Sequence, residues 1–190
     1  MEQGSRERAG SGSAGRYRGP AQALHWLTAL LVLSTLPAGA IMVEEGLDRS
    51  VQDALYLYHK NVGIVILLLV VLRLIYRAIH PAPPLPGHVP PWQRRIAGAT
   101  HGLLYALVLV MTVSGYLRVE AGDFPIELLD ALGVPPLVPL SDDLAGAAQA
   151  VHFYARFALI ALVLLHAGAA LHHLLVARDG VFQRMWPARR

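Results

Sequence analysis

Residues 151–177 read VHFYARFALIALVLLHAGAALHHLLVA, an apolar helical stretch with a histidine near each end. His152 and His166 stand 14 residues apart, about 21 Å of helical rise and close to four full turns. Both imidazoles therefore leave nearly the same face. A hydrocarbon core is about 30 Å thick, so each lies near one edge of it. Ring nitrogens at such depths are costly and mark functional sites. The spacing points to one ligand for each of two metal centres stacked across a bilayer. His173, beside His172 and seven residues past His166, returns to the same face about 10 Å further on.

The rest of the composition agrees with a membrane. The hydrophobic fraction is 55% against 15% charged, and 190 residues fit one domain. The isoelectric point near 9.5 does not point to nucleic acid, because the basic residues are not clustered with aromatics on one surface. Cysteine is absent, which excludes disulfides, iron–sulfur clusters and covalently attached haem. No pattern of a removable signal peptide is read at the N-terminus.

Working outward, four apolar spans are expected at about 21–43, 54–79, 96–117 and 150–177. Residues 1–19, rich in Gly, Ser and Arg, are expected to be a disordered cytoplasmic tail, with 20–187 forming the membrane domain. Glu44 to Asp53 reads as a short acidic loop, and His80 to Arg95 as a proline-rich connector that cannot be one continuous helix. Arg118 to Gln149 reads as a longer loop whose piece Ile126 to Leu132 is apolar enough to lie on a membrane surface. The fold class expected is an all-α integral membrane protein, a four-helix bundle. Lipids are its surroundings.

Charge gives the orientation. The N-terminus, the connector, the C-terminal tail and nearby helix ends hold 12 arginines against three acids, a net of +9. The opposite side holds Arg49, Lys60, Arg118 and Arg156 against 10 acids, a net of −6. The positive-inside rule then puts both termini in the cytoplasm, with four spans.

This topology fixes depth. His25 and His166 fall at the inner edge, His59 and His152 at the outer edge. One imidazole in a membrane helix can simply hydrogen-bond a carbonyl, but four at two matched depths favour two bis-imidazole haem sites. Zinc or copper would want three or four ligands at one level. Arg73, 14 residues after His59, reaches the inner level, where it pairs with a haem propionate or snorkels to headgroups. His101, near the start of the third span, reads as a hydrogen-bonding neighbour of the inner site rather than a ligand. His80 and His88 read as solvated connector residues.

The chain resembles the prokaryotic cytochrome b561 family of small di-haem inner-membrane proteins. The matching pieces are Ala23-Leu24-His25-Trp26, His59-Lys60-Asn61-Val62-Gly63, Val71-Leu72-Arg73-Leu74 before the proline-rich connector, and Thr100-His101-Gly102-Leu103-Leu104-Tyr105. Leu165-His166-Ala167-Gly168-Ala169-Ala170-Leu171 with His173 completes the set, and the resemblance runs over about residues 17–187. It implies two b haems per chain, held by His25 with His166 and by His59 with His152. It also implies ubiquinone as partner, with His173 near the quinone, and superoxide oxidation as the activity known in this group.

The expected function is therefore an oxidoreductase, a transmembrane electron conduit from an outer donor to ubiquinone. Lys60, which follows His59, is the only lysine. With Arg156 and Arg118 it is read either as a positive patch that steers superoxide or another small donor to the outer haem, or as headgroup and propionate anchors. Two other functions stay open: a cytochrome subunit docked on a peripheral dehydrogenase or hydrogenase, and a non-redox transporter with histidine proton relays.

Overall fold

The computed structural model describes residues 15–187. It has four long helices, each apolar enough to cross a membrane. They are α1 (Gly19–Ile41), α2 (Arg49–Ile79), α3 (Pro91–Ala121) and α5 (Asp142–His172), with a short α4 (Glu127–Ala131) between α3 and α5. A π-helical turn, His173–Ala177, extends α5, and a 3-10 turn follows at Phe182–Arg184. Among the described residues there is no strand.

Three of the helices run further than hydropathy alone suggests, because capping continues them past the apolar stretch. Asp48 caps α2 by accepting from the Ser50 N–H at 2.8 Å, so the polar turn from Arg49 to Asp53 is helical rather than loop. Ser141 does the same for α5 through the Leu144 N–H at 3.2 Å, converting residues 142–149 of the expected loop into two further turns. Pro91 opens α3 at the one place where a missing N–H costs nothing, so the connector's last residues are also helical. The hydroxyls of Thr28, Thr35 and Thr112 bond back to carbonyls four residues earlier, which explains their place in apolar spans.

α3 packs along α5, α1 along α2, and α2 along α3. Neither α1 nor α2 brings its backbone against α5 to a comparable extent. The buried core is a layer halfway along the bundle: Val32, Ile66, Val70, Val108, Met111 and Leu159. Leu159 lies seven residues from both His152 and His166, so this layer separates the two histidine levels. Outward faces are bare hydrocarbon. Leu30, Leu33, Leu68, Leu72, Leu164 and Leu165 are each more than half exposed, a surface that lipid covers.

One end of the bundle is tied by Arg184, a buried residue whose guanidinium donates to the carbonyls of Gly15, Pro83 and Pro84 at 2.6, 2.6 and 2.9 Å. Gln22 and Trp26 donate to the carbonyls of Arg184 and Met185, and Trp26, Phe182 and Trp186 stack edge to face or tilted. Both ends of the described residues and the α2–α3 connector therefore share one side. Of the tail expected over 1–19, residues 1–14 lie outside the described residues. The described part bonds to the C-terminal segment, Tyr17 N to Arg184 O at 3.0 Å. On the far side Ser141 N bonds Ala121 O at 3.0 Å, drawing the ends of α3 and α5 together.

Candidate functional site

At the far level, α2 and α5 face His59 and His152 toward each other with ring centroids 6.1 Å apart. His59 Nδ1 is 3.1 Å from the Thr35 carbonyl, and His152 Nδ1 is 2.9 Å from the Met111 carbonyl. A carbonyl can only accept, so both Nδ1 atoms carry the hydrogen and both Nε2 lone pairs are left free. That is the tautomer a metal-ligating histidine needs, fixed by a backbone partner on its other nitrogen. Two glycines make the arrangement possible. A Cβ on Gly39 would stand 2.6 Å from His59 Cε1, and one on Gly115 would stand 3.2 Å from His152 Cε1.

At the near level His25 of α1 and His166 of α5 have centroids 6.2 Å apart. His101 of α3 comes within 5.4 Å of His166, edge to face. Arg73 Nη1 lies 3.1 Å from His25 Nδ1, its Nη2 lies 3.4 Å from the Tyr105 hydroxyl, and its guanidinium sits 5.5 Å from the Tyr105 ring centre. The structure thus gathers His25, His166, His101 and Arg73 at one level, with Tyr105 as a member that spacing alone does not single out.

A cavity of about 660 Å³ runs from the far surface to the core layer. His59, His152, Gly63, Gly115, Ile66 and Leu159 are among the residues lining it. Its mouth carries Arg49, Asp53, Lys60, Arg118 and Glu127. Here the expectation for Lys60 needs correcting. Its ammonium donates to Glu127 Oε1 at 2.8 Å and to the Pro125 carbonyl at 2.6 Å, so its charge is already answered. Asn61 completes the lock, donating to Glu127 Oε2 at 3.0 Å and accepting from the Leu128 N–H at 2.8 Å, which fastens α4 over the mouth. Burial pushes the Glu127 carboxyl up, but the hydrogen bonds from Lys60 and Asn61 outweigh it and hold it below the usual carboxylate range. Arg156 is not part of the lining; its guanidinium lies over the rings of Phe153 and Phe157 at 4.1 and 4.6 Å. Arg118 does line the cavity, held by Gln149 Oε1 at 2.9 Å.

His173 stands at the other end of α5, its Nδ1 2.6 Å from Asp179 Oδ2. The connector is not wholly solvated as expected. His88 Nε2 comes within 4.0 Å of the same oxygen, and His80 stacks on Tyr76 at 4.3 Å with its Nδ1 buried and unpartnered.

The donor sets suit haem better than a bare metal ion. Among the described residues no three His, Cys, Asp or Glu converge to hold an ion, whereas each level offers one facing pair of imidazoles, with His101 a third ring beside the near pair, a donor set that would hold a bis-histidine haem. A metal between two imidazole nitrogens at about 2 Å each needs ring centroids roughly 6 Å apart, and both pairs meet this. The ligand-bearing α1 and α2 stand off from α5, which leaves room for a flat macrocycle between them. The far level also has the right tautomers. The near level meets the spacing, but while Arg73 donates to His25 Nδ1 the His25 proton sits on Nε2, so ligation there requires Arg73 to turn away.

Comparison with known proteins agrees. The family model described as prokaryotic cytochrome b561 matches residues 16–188. The chain is similar to cytochrome b561 homolog 2 of Escherichia coli (strain K12), 33% identical over 175 residues covering 90% of both chains. It is similar to a Yersinia pestis protein named probable superoxide oxidase CybB, 28% identical over 171 residues, 88% of this chain and 93% of that one. Cytochrome b561 homolog 1 of Escherichia coli (strain K12) is 27% identical over 168 residues, 88% and 94%.

Proposed function

The chain belongs to the prokaryotic cytochrome b561 family, bacterial membrane proteins that bind haem b and transfer electrons, and from that premise we propose that it passes electrons from superoxide to ubiquinone through two bis-histidine haems. The observation that carries this is the stacking of two imidazole pairs, 6.1 and 6.2 Å between centroids, at opposite ends of one helix bundle. Haem b, when bound, supplies a one-electron couple at each level. His59 and His152 would hold one, His25 and His166 the other. Thr35 and Met111 carbonyls orient the first pair; Arg73 and His101 flank the second. Each superoxide gives one electron and leaves as oxygen, and two electrons with two protons convert ubiquinone to ubiquinol.

Superoxide is favoured as donor by the name of the Yersinia pestis relative and by the cavity, which is large enough to admit a small anion to His59 and His152. With Lys60 paired to Glu127 and Arg49 to Asp53 at 3.3 Å, Arg118 is the cation left to attract that anion at the mouth. His173 is read as the residue that meets the quinone at the opposite edge. Residues 20–187 are read as one cytochrome domain. The net charges of +9 and −6 favour placing both termini in the cytoplasm.

The test is direct. The dithionite-reduced protein should show b-type haem bands, and a pyridine haemochrome assay should count two haems per chain. Superoxide should reduce them and ubiquinone should reoxidise them. One haem per chain would end the two-site reading, and a reduced protein indifferent to quinone would end the quinone reading.

A further inference from the structure

Past His172 the α-helix gives way to the π-helical turn at His173–Ala177, and Arg178 follows with φ 50°, in the left-handed region. Single π turns concentrate at functional sites. Here the turn and the left-handed residue fold the chain back so that Asp179 lies against His173, Oδ2 to Nδ1 at 2.6 Å. Asp179 Oδ1 accepts from the Val181 N–H at 3.1 Å, so the carboxylate is held from two directions. The Asp179 side chain is 15% exposed and that of His173 22%. From the α2–α3 connector, His88 brings Nε2 to 4.0 Å from the same Oδ2 while remaining 55% exposed.

Three elements therefore converge on one carboxylate. Burial pushes the Asp179 carboxyl up, but the Val181 N–H and the His173 ring outweigh it and hold it below the usual range, so it is an anion at neutral pH. An anion only accepts, which puts the hydrogen of His173 on Nδ1. Nε2 is then the nitrogen left for a partner from outside the chain, and among the described residues nothing bonds to it. This is the relation of carboxylate to histidine that fixes tautomer and meets the positive charge a histidine takes on with a second proton. The adjacent cation does not compete for the carboxylate: Arg178 donates to the carbonyl of Leu175.

We propose that Asp179 is a positioning residue for proton delivery to the quinone, holding His173 with Nε2 outward, and that His88 is the exposed imidazole through which the pair takes up protons from solvent. This rests on the reading of His173 as the quinone-side residue. Each turnover consumes two electrons from the outer donor and two protons from solvent. Twice, a proton leaves the doubly protonated His173 ring at Nε2 and forms an O–H bond on a quinone oxygen, with Nδ1–H left in place; twice, solvent water carries a proton from His88, itself reprotonated from solvent, to the emptied Nε2. Asp179 stays a carboxylate throughout, and the proton does not pass through it.

The experiment joins a spectroscopic and a kinetic readout on the haem-loaded protein in nanodiscs. With ¹⁵N-histidine labelling, the short His173–Asp179 bond should give a far-downfield Nδ1 proton resonance, absent in His173→Ala and lost in Asp179→Asn. Asp179→Asn should slow reoxidation by ubiquinone on the order of tenfold or more while keeping the reduced haem spectrum. His88→Ala should also slow it, and added imidazole should restore the rate. An Asp179→Asn protein with both resonance and rate unchanged would overturn the proposal, as would a His88→Ala rate that is normal or ignores imidazole. If Asp179→Asn loses its haem spectrum, the His88→Ala rescue alone decides. A normal quinone rate in His173→Ala would instead sink the quinone reading itself, whereas a slow His173→Ala beside a normal Asp179→Asn would remove only the relay.

Discussion

Arg73 Nη1 sits 3.1 Å from His25 Nδ1, which makes the near histidine pair chemically unlike the far one. At the far level each ring donates to a carbonyl; here the ring nitrogen must accept, because a guanidinium has nothing but donors. Even turned from His25 to free its ring for ligation, the guanidinium stays a positive charge at that level, and a positive charge near a redox centre favours its reduced form. Arg73→Gln should therefore lower the midpoint potential of the near haem by some tens of millivolts, about 59 mV being a tenfold change for a one-electron couple. The far haem should not move. Redox titration with two resolved components checks this; equal shifts in both would place Arg73 elsewhere.

Ligation should be separable. His59→Ala or His152→Ala should cut the haem count from two to one by removing the far haem, and His25→Ala or His166→Ala should remove the near one. His101→Ala, whose ring meets His166 edge to face, should keep both. Haemochrome counts on each purified variant decide. Equal partial loss of both haems from every variant would deny independent sites.

Gly39 offers a steric version of the same test. A methyl there meets His59 Cε1 at 2.6 Å, well inside van der Waals contact. Gly39→Ala should cost about 1–3 kcal/mol and selectively weaken the far haem. Gly115→Ala, with its contact at 3.2 Å to His152, should do the same more mildly. Full far haem in the Gly39→Ala protein would show that the ring has room to retreat.

The lock between Lys60 and Glu127 sets the charge at the cavity mouth. Glu127→Gln should free the lysine charge, raise the rate of haem reduction by superoxide and steepen its fall with ionic strength. Arg118→Glu should lower the rate, and stopped-flow reduction at several salt concentrations reads both. The pair also has a pH sense. The Glu127 carboxyl lies below the usual range in the folded chain, so its contribution is present above the unfolded value and lost as pH falls through the folded one. Since the carboxylate is 38% exposed, solvent screening keeps that contribution to less than about 1 kcal/mol. Acidification through and below the usual carboxylate range should loosen α4, detectable as faster amide exchange at Leu128.

Arg184 tests the tie at the other end. It is buried and donates to three carbonyls contributed by the N-terminal segment and the connector. Arg184→Ala should destabilise the protein by about 2–4 kcal/mol, read as a lower midpoint of thermal unfolding in detergent. Haem content at low temperature should be little changed.

The spans and the two histidine levels were legible because both are periodic properties of local sequence: a long apolar run, and a 14-residue step on one helix face. The polar turns that α2 and α5 add at their starts were not, since Asp48 and Ser141 cap helices whose first residues lie beyond the apolar stretch. Lys60 looked like a free cation because its partner Glu127 is 67 residues away. Asp179 and His88 likewise meet only through the fold. Arg184 resembled any basic tail residue, and only the packing of Pro83, Pro84 and Gly15 around it gives it a different part. Sequence periodicity reports depth and face; it does not report which charges already have partners.

His152 and His166 sit on one uninterrupted helix, while their opposite numbers come from two different ones. α5 is thus a ruler as well as a scaffold. If α1 and α2 shift relative to each other, the two ligand pairs can tighten or slacken separately, yet the axial interval between them stays at about 21 Å. A quantity on which tunnelling depends exponentially is thereby taken out of the hands of packing and written into the count of residues along a single chain segment.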